Sequence, residues 1–178
     1  MSERTDLVEQ ILLAELRMFQ SVPAIGVNRC LEHPNAFKQH REAQFSIFSR
    51  ETLESYLHDI NIAQENGQNL MTYKYARMDN LIPRTNHSTL VETVAKIMVD
   101  WQLQMIEKYP GLTERARPVA SENDDSHKTS FETYLKGELE TYSENTLFLL
   151  QNDLKKLQVE GKNGSEEIYR YLILGNQS

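Results

Sequence analysis

Apolar positions recur at helical spacing along most of this chain, and the longest periodic stretch is residues 129–158, TSFETYLKGELETYSENTLFLLQNDLKKLQ. Laid out at ~100° per residue, Phe131, Leu135, Leu139, Tyr142, Thr146, Leu149, Leu150 and Leu157 form one broad stripe. Glu140, Glu144, Gln151 and Gln158 lie opposite, on the expected solvent side, and Tyr134, Glu138, Thr141 and Asn145 form a shoulder between the two. Thr129-x-x-Glu132 has the form of a capping box, and no proline interrupts the chain from there to Gln158. The pattern predicts one long helix, capped by Thr129, as a central strut. Gly137 sits in its middle at a cost of ~1 kcal/mol relative to alanine; it marks either a close approach by another backbone or nothing in particular.

The remaining segments are shorter. A first helix, capped by Thr5 or Ser2, carries Leu7, Val8, Ile11, Met18 and Phe19 on one face and ends near Val22-Pro23, because the residue before proline disfavours helix. Residues 23–35 read as a loop. A second helix over 36–48 presents Phe37, Phe45 and Phe48, and a third over 50–66 follows Ser49 with Leu53, Tyr56, Leu57 and Ile60 inward and stops at Asn66-Gly67. A fourth, 68–80, has Leu70, Met71 and Met78. After a turn at Pro83, Thr89-x-x-Glu92 opens a fifth over 90–108 with Leu90, Val94, Ile97, Met98, Trp101 and Met105 as a core stripe. Residues 111–128 lack periodicity and hold RARP and the acidic run SENDD; the acidic half is expected to be mobile and Arg117 to dock on the body. A last helix spans 165–174 with Tyr169, Leu172 and Ile173 inward. The fold class is therefore all-α: a single domain over 1–178, an irregular bundle of about six helices around one long C-terminal helix, with a flexible loop at 111–128.

Composition narrows the function classes. Asp and Glu outnumber Lys and Arg 26 to 19, and the net charge of −7 argues against a nucleic-acid partner, which needs a basic face. No apolar run approaches the ~20 residues of a membrane span. The first residues carry Glu3, Asp6, Glu9 and Glu15 and lack the basic-then-apolar layout of a signal peptide. Cys30 is the only cysteine, so no internal disulfide can form. These features point to a cytoplasmic protein. Cys30 with His33 lacks the further ligands a metal site requires, and Glu54 with His58 reads as a surface pair, so neither metal nor cofactor is expected. No Glu-x-x-His, His-Glu-x-x-His, glycine-rich phosphate loop or Gly-x-Ser-x-Gly pattern is present.

The informative feature is charge in the wrong phase. Glu15, Arg41 and Lys74 fall where apolar residues belong, Gln44 shares the phase of Arg41, and Asp59, Arg77 and Glu138 sit at the edges of their apolar faces. A lone ionised group in a core is too costly to keep, so these side chains must pair or reach water. Either they form structural ion pairs, or several helices converge on a polar pocket in which Glu15, Lys74 and Glu138 meet Arg41, Asp59, Tyr56 and Tyr142.

Several segments also carry a resemblance. LRMFQSV (16–22), FKQHREAQF (37–45), SYLHDINIAQENGQNLMTYKYARM (55–78), the Trp101 helix with YPGL, RARP and SFETYLKGELETYSENTL (130–147) together resemble the uncharacterised bacterial family catalogued as domain of unknown function 4125. The resemblance covers roughly residues 5–160 and implies Glu15, Arg41, Gln44, Tyr56, Asp59, Asn69, Lys74, Tyr75, Arg117, Glu138, Tyr142 and Ser143 as motif positions. It implies no activity.

Two functions remain open at this level. One is a protein that binds a small polar or anionic ligand through Glu15, Arg41, Gln44, Tyr56, Asp59, Lys74, Arg77, Arg117, Glu138 and Tyr142, with or without catalysis. The other is a helical interaction or scaffold protein, self-associating as a homodimer, whose buried charges only set helix register.

Overall fold

A computed structural model describes residues 3–22, 34–112, 118–124 and 129–175. All regular structure among them is helical: eight α-helices and two short 3-10 turns. The helices are α1 (Glu3–Gln20), α2 (Pro34–Phe45), α3 (Arg50–Glu65), α4 (Leu70–Met78), α5 (Thr89–Lys108), α6 (Phe131–Leu139), α7 (Glu144–Val159) and α8 (Gly164–Gly175). In the N-terminal half α1 packs on α2, α3 and α4; in the C-terminal half α5 packs on α6, α7 and α8. The halves meet through α3 on α7, α4 on α6 and α2 on α8. One hydrophobic cluster runs through both, from Ile11, Phe19 and Leu53 to Val91, Leu147 and Leu154.

The all-α class is as expected, but the long strut is two helices, and the bundle has more than six. The break falls at 140–143. Thr141 N–H bonds to the Glu138 carbonyl and Tyr142 N–H to that of Leu139, tightening the last turn of α6. Ser143 is then extended (φ −66°, ψ 162°), and its hydroxyl accepts from Thr146 N–H, which starts α7. The break re-phases the second half, so Glu140 and Gln151, both assigned to solvent by a continuous helical layout, are buried. The apolar stripe gave no warning because its members stay inward on both sides of the break.

Ser49 caps α3 as expected, and two other helix starts are capped one residue away from the predicted position. The Ser130 hydroxyl, not that of Thr129, accepts from Thr133 N–H, and the Ser88 hydroxyl, not that of Thr89, accepts from Leu90 N–H. At the Asn66-Gly67 stop the expectation holds, with Gly67 at φ +67°. The acidic stretch before α6 is anchored where it is described: Asp124 accepts from Ser130 N–H and the Thr133 hydroxyl, each at 2.5 Å. Residues 113–117, 125–128 and 23–33, and with them Arg117, Cys30 and His33, lie outside the described residues.

Two glycines mark close packing. A Cβ on Gly137 would lie 3.1 Å from the Lys74 carbonyl oxygen, so this residue lets α4 and α6 approach closely. A Cβ on Gly164 would lie 2.5 Å from Trp101 Cζ3. Since α8 then has to move off the indole, Gly164→Ala is expected to destabilise by ~1–3 kcal/mol. An unchanged urea midpoint for that variant would show that α8 is not seated on Trp101.

Candidate functional site

The out-of-phase charges converge. Glu15 from α1, Arg41 and Gln44 from α2, Tyr56 from α3, Lys74 from α4, Glu138 from α6 and Tyr142 from the break meet in one network. Glu15 is fully buried, and Arg41 and Lys74 each keep 3% of their surface. Arg41 donates from Nε to Glu15 Oε2 at 2.8 Å and from Nη2 to Oε1 at 2.5 Å, a bidentate pair. Its Nη1 donates to both oxygens of Glu138, at 2.8 and 3.0 Å, and to the Gln44 carboxamide oxygen. Lys74 Nζ donates to Glu138 Oε2 at 2.8 Å and lies 3.8 Å from the centre of the Tyr134 ring. The hydroxyl of Tyr56 donates to Glu15 Oε1 and that of Tyr142 to Glu138 Oε1, both at 2.6 Å. Two carboxylates thus face two cations with no net formal charge, the arrangement in which mutual attraction can offset the several kcal/mol needed to dehydrate each ion.

The local sequence explains why each side chain arrives. Glu15, Arg41 and Lys74 occupy apolar phases of their helices, flanked by Ile11 and Met18, by Phe37 and Phe45, and by Met71 and the half-buried Met78. Gly137 brings α4 against α6, which puts Lys74 within reach of Glu138.

Asp59 and Arg77 stand apart from the network, one on each side of the 140–143 break. Asp59 Oδ2 accepts from Ser143 N–H at 2.9 Å and from the Thr146 hydroxyl at 2.7 Å. Arg77 Nε donates to Glu140 Oε2 at 2.7 Å and its Nη1 to the Ile82 carbonyl at 3.0 Å. Both hold the break in place. Glu140 is the residue that a solvent-side assignment concealed; the Ser143-Glu144 pair, a capping residue followed by an acid in the first turn, is the signal that would have exposed the break.

Burial and neighbouring charge act against each other here. Burial is the largest influence on Glu138 and pushes its carboxyl up, but Arg41 and Lys74 together hold it well below the usual range. Burial likewise pushes Lys74 down, and Glu138 outweighs it, so the ammonium is retained above its ordinary range. Tyr56 and Tyr142 are pushed far up, first by burial and then by the adjacent carboxylates, so both stay as hydroxyl donors. Because Glu138 titrates below its ordinary 4.5 when folded, its stabilising contribution is complete above that value and is lost as pH falls further. The stability difference between wild type and Glu138→Gln is therefore expected to be constant from about pH 5 to about pH 9 and to narrow below about pH 4.5. Urea titrations of both proteins across that range measure it; a difference that widens in acid contradicts the assignment.

Next to the network is a cavity of ≈ 210 Å³. Gln44, Glu138 and Tyr142 belong to its wall, whereas Glu15, Arg41, Tyr56 and Lys74 lie behind them. The rest of the wall is mainly apolar, including Phe48, Met98, Leu135, Leu139, Leu150 and Ile168. Gln102 and Ser165 are the other polar members besides tyrosines, and neither side chain hydrogen-bonds to another described residue. Sequence reasoning missed both. Gln102 was recoverable, since it lies four residues from Met98 and three from Met105; Ser165 was hidden as a helix boundary. Among the described residues no three of His, Cys, Asp and Glu are grouped to hold a metal ion. His58 is exposed, and Glu54 of the same helix accepts from Arg50 at 2.7 Å.

The molecule is thus an all-helical protein in which a neutral ion-pair network backs a partly open cavity, and no described helix is long and apolar enough to cross a membrane. The chain belongs to the family described as "Protein of unknown function (DUF4125)", whose match spans residues 5–176. No curated protein and no solved structure matches the chain at a significant level.

Proposed function

We propose that this protein binds a small, uncharged, largely apolar molecule in the cavity between α2, α5, α6, α7 and α8. The observation that carries this reading is the wall itself: apolar over most of its area, with Gln44, Gln102, Ser165, the paired Glu138 and three tyrosines as polar side chains. A cavity of about 150 Å³ suffices to bind benzene, so ≈ 210 Å³ admits a larger guest.

The network argues for an uncharged guest rather than the polar or anionic one that the charge pattern suggested. Arg41 and Lys74 are already matched by Glu15 and Glu138, so an anion meets no uncompensated cation. Catalysis by the network has little support either: Glu138, Lys74, Tyr56 and Tyr142 are all driven away from neutrality, whereas a general acid or base works best near the operating pH. The network supports binding by holding Gln44, Glu138 and Tyr142 rigidly at the wall.

A thermal-shift screen tests this. Neutral apolar compounds are expected to raise the melting temperature, by the equivalent of ~2.7 kcal/mol at 100 times Kd. Ile168→Trp, which fills the cavity, is expected to remove that shift. A screen in which only anions stabilise, or in which no compound does, contradicts the proposal.

A second reading, self-association, draws on one observation. Tyr109, Ile173 and Leu174 are exposed together along a surface groove of ≈ 660 Å³. Sedimentation of wild type against Ile173→Asp decides it: a dimer that dissociates in the variant supports self-association through this face.

A further inference from the structure

The groove and the cavity are neighbours. Met105 of α5 and Tyr169 of α8 line both the inner cavity and the surface groove. From these two residues the groove continues outward along Tyr109, Pro110, Ile173 and Leu174. Met105 is a suitable partition because its unbranched thioether chain has several rotatable bonds and adjusts at little cost. The cavity and the groove therefore adjoin at Met105 and Tyr169, between the end of α5 and α8.

The polar groups restrict what the two ends accept. Inside, the carboxamide oxygen of Gln44 is taken by Arg41, which leaves its N–H donors, while Gln102 and Ser165 each offer a donor and an acceptor. No charge on the wall lacks an opposite partner, so a charged head would be buried uncompensated. At the groove rim Lys108 pairs with Glu166 at 2.9 Å and Arg170 with Glu167 at 3.1 Å, so neither cation stands alone to attract a carboxylate or phosphate.

We infer that cavity and groove form one site for an elongated uncharged amphiphile, its hydroxyl or carboxamide head hydrogen-bonded inside and its alkyl chain passing between Met105 and Tyr169 into the groove. The inference rests on the binding reading of the inner cavity and adds the ligand class. Scaling from the six carbons of benzene in about 150 Å³, the inner cavity alone holds about eight heavy atoms, roughly the size of 1-heptanol.

Calorimetric titration of the full chain with 1-alkanols from butanol to decanol tests it, with decanoate as the charged comparison. Affinity is expected to keep rising about two- to fourfold per methylene beyond heptanol, as further chain is buried in the groove. Ile173→Asp combined with Leu174→Asp, both at exposed positions, is expected to weaken decanol about tenfold or more and to leave butanol unchanged. If affinity stops rising at heptanol, the extended site is wrong and the inner-cavity reading stands. If no alkanol binds, that reading fails as well. Decanoate binding more tightly than decanol overturns the uncharged head. A wild-type dimer that buries Ile173 and Leu174 overturns the use of the groove by a ligand.

Discussion

Glu138→Ala is expected to lower the unfolding free energy by ~3–5 kcal/mol, the usual cost of removing one partner of a buried ion pair. Glu138 accepts from Arg41, Lys74 and Tyr142 together. Without it Arg41 keeps Glu15, but Lys74 loses the carboxylate it pairs with and is left against the Tyr134 ring. Glu138→Gln retains the shape and some hydrogen bonds without the charge, so it should fall between wild type and the alanine variant. Chemical denaturation measures both. A loss under about 1 kcal/mol for Glu138→Ala, the range of exposed ion pairs, would mean that water reaches Lys74 and that the network is not sealed.

Arg41→Ala is expected to cost a similar ~3–5 kcal/mol, for the opposite reason: it strands a carboxylate. Glu15 is fully buried and its bidentate partner is Arg41, with Tyr56 supplying one further hydrogen bond. Glu138 retains Lys74 in this variant. Arg41→Lys should recover only part of the loss, because one ammonium cannot reproduce the planar fork that reaches Glu15 and Glu138 at once. A double-mutant cycle isolates the pair. Glu15→Ala and Arg41→Ala combined should cost less than the sum of the two single losses, since each alone leaves the other charge uncompensated. Additive losses would place the two side chains in separate environments.

Much of the network was legible in the sequence, and the reason is local. A charge in the middle of an apolar stripe is visible from phase alone, which singles out Glu15, Arg41 and Lys74. Phase does not say which partner each one meets. Asp59 and Arg77 carry the same kind of signal as Glu138, yet they fasten the α6–α7 break instead of joining the network. The same blindness merged α6 and α7 into one strut: the apolar positions remain inward across the break, and the apolar stripe does not register the re-phasing that buries Glu140 and Gln151.

The amino-acid sequence by itself determined that the chain is helical, roughly where its helices lie and which charges fall out of phase and need a partner or water, because helical phase and capping depend on residues a few positions apart. Only the tertiary structure decided the ion-pair partners and the cavity. Both arise where segments distant in sequence pack: Arg41 meets Glu138 across 97 residues, and the cavity wall joins Gln44 to Ser165. A void is what remains when side chains from α2, α5, α6, α7 and α8 fail to fill the space between them, and no stretch of local sequence records that remainder.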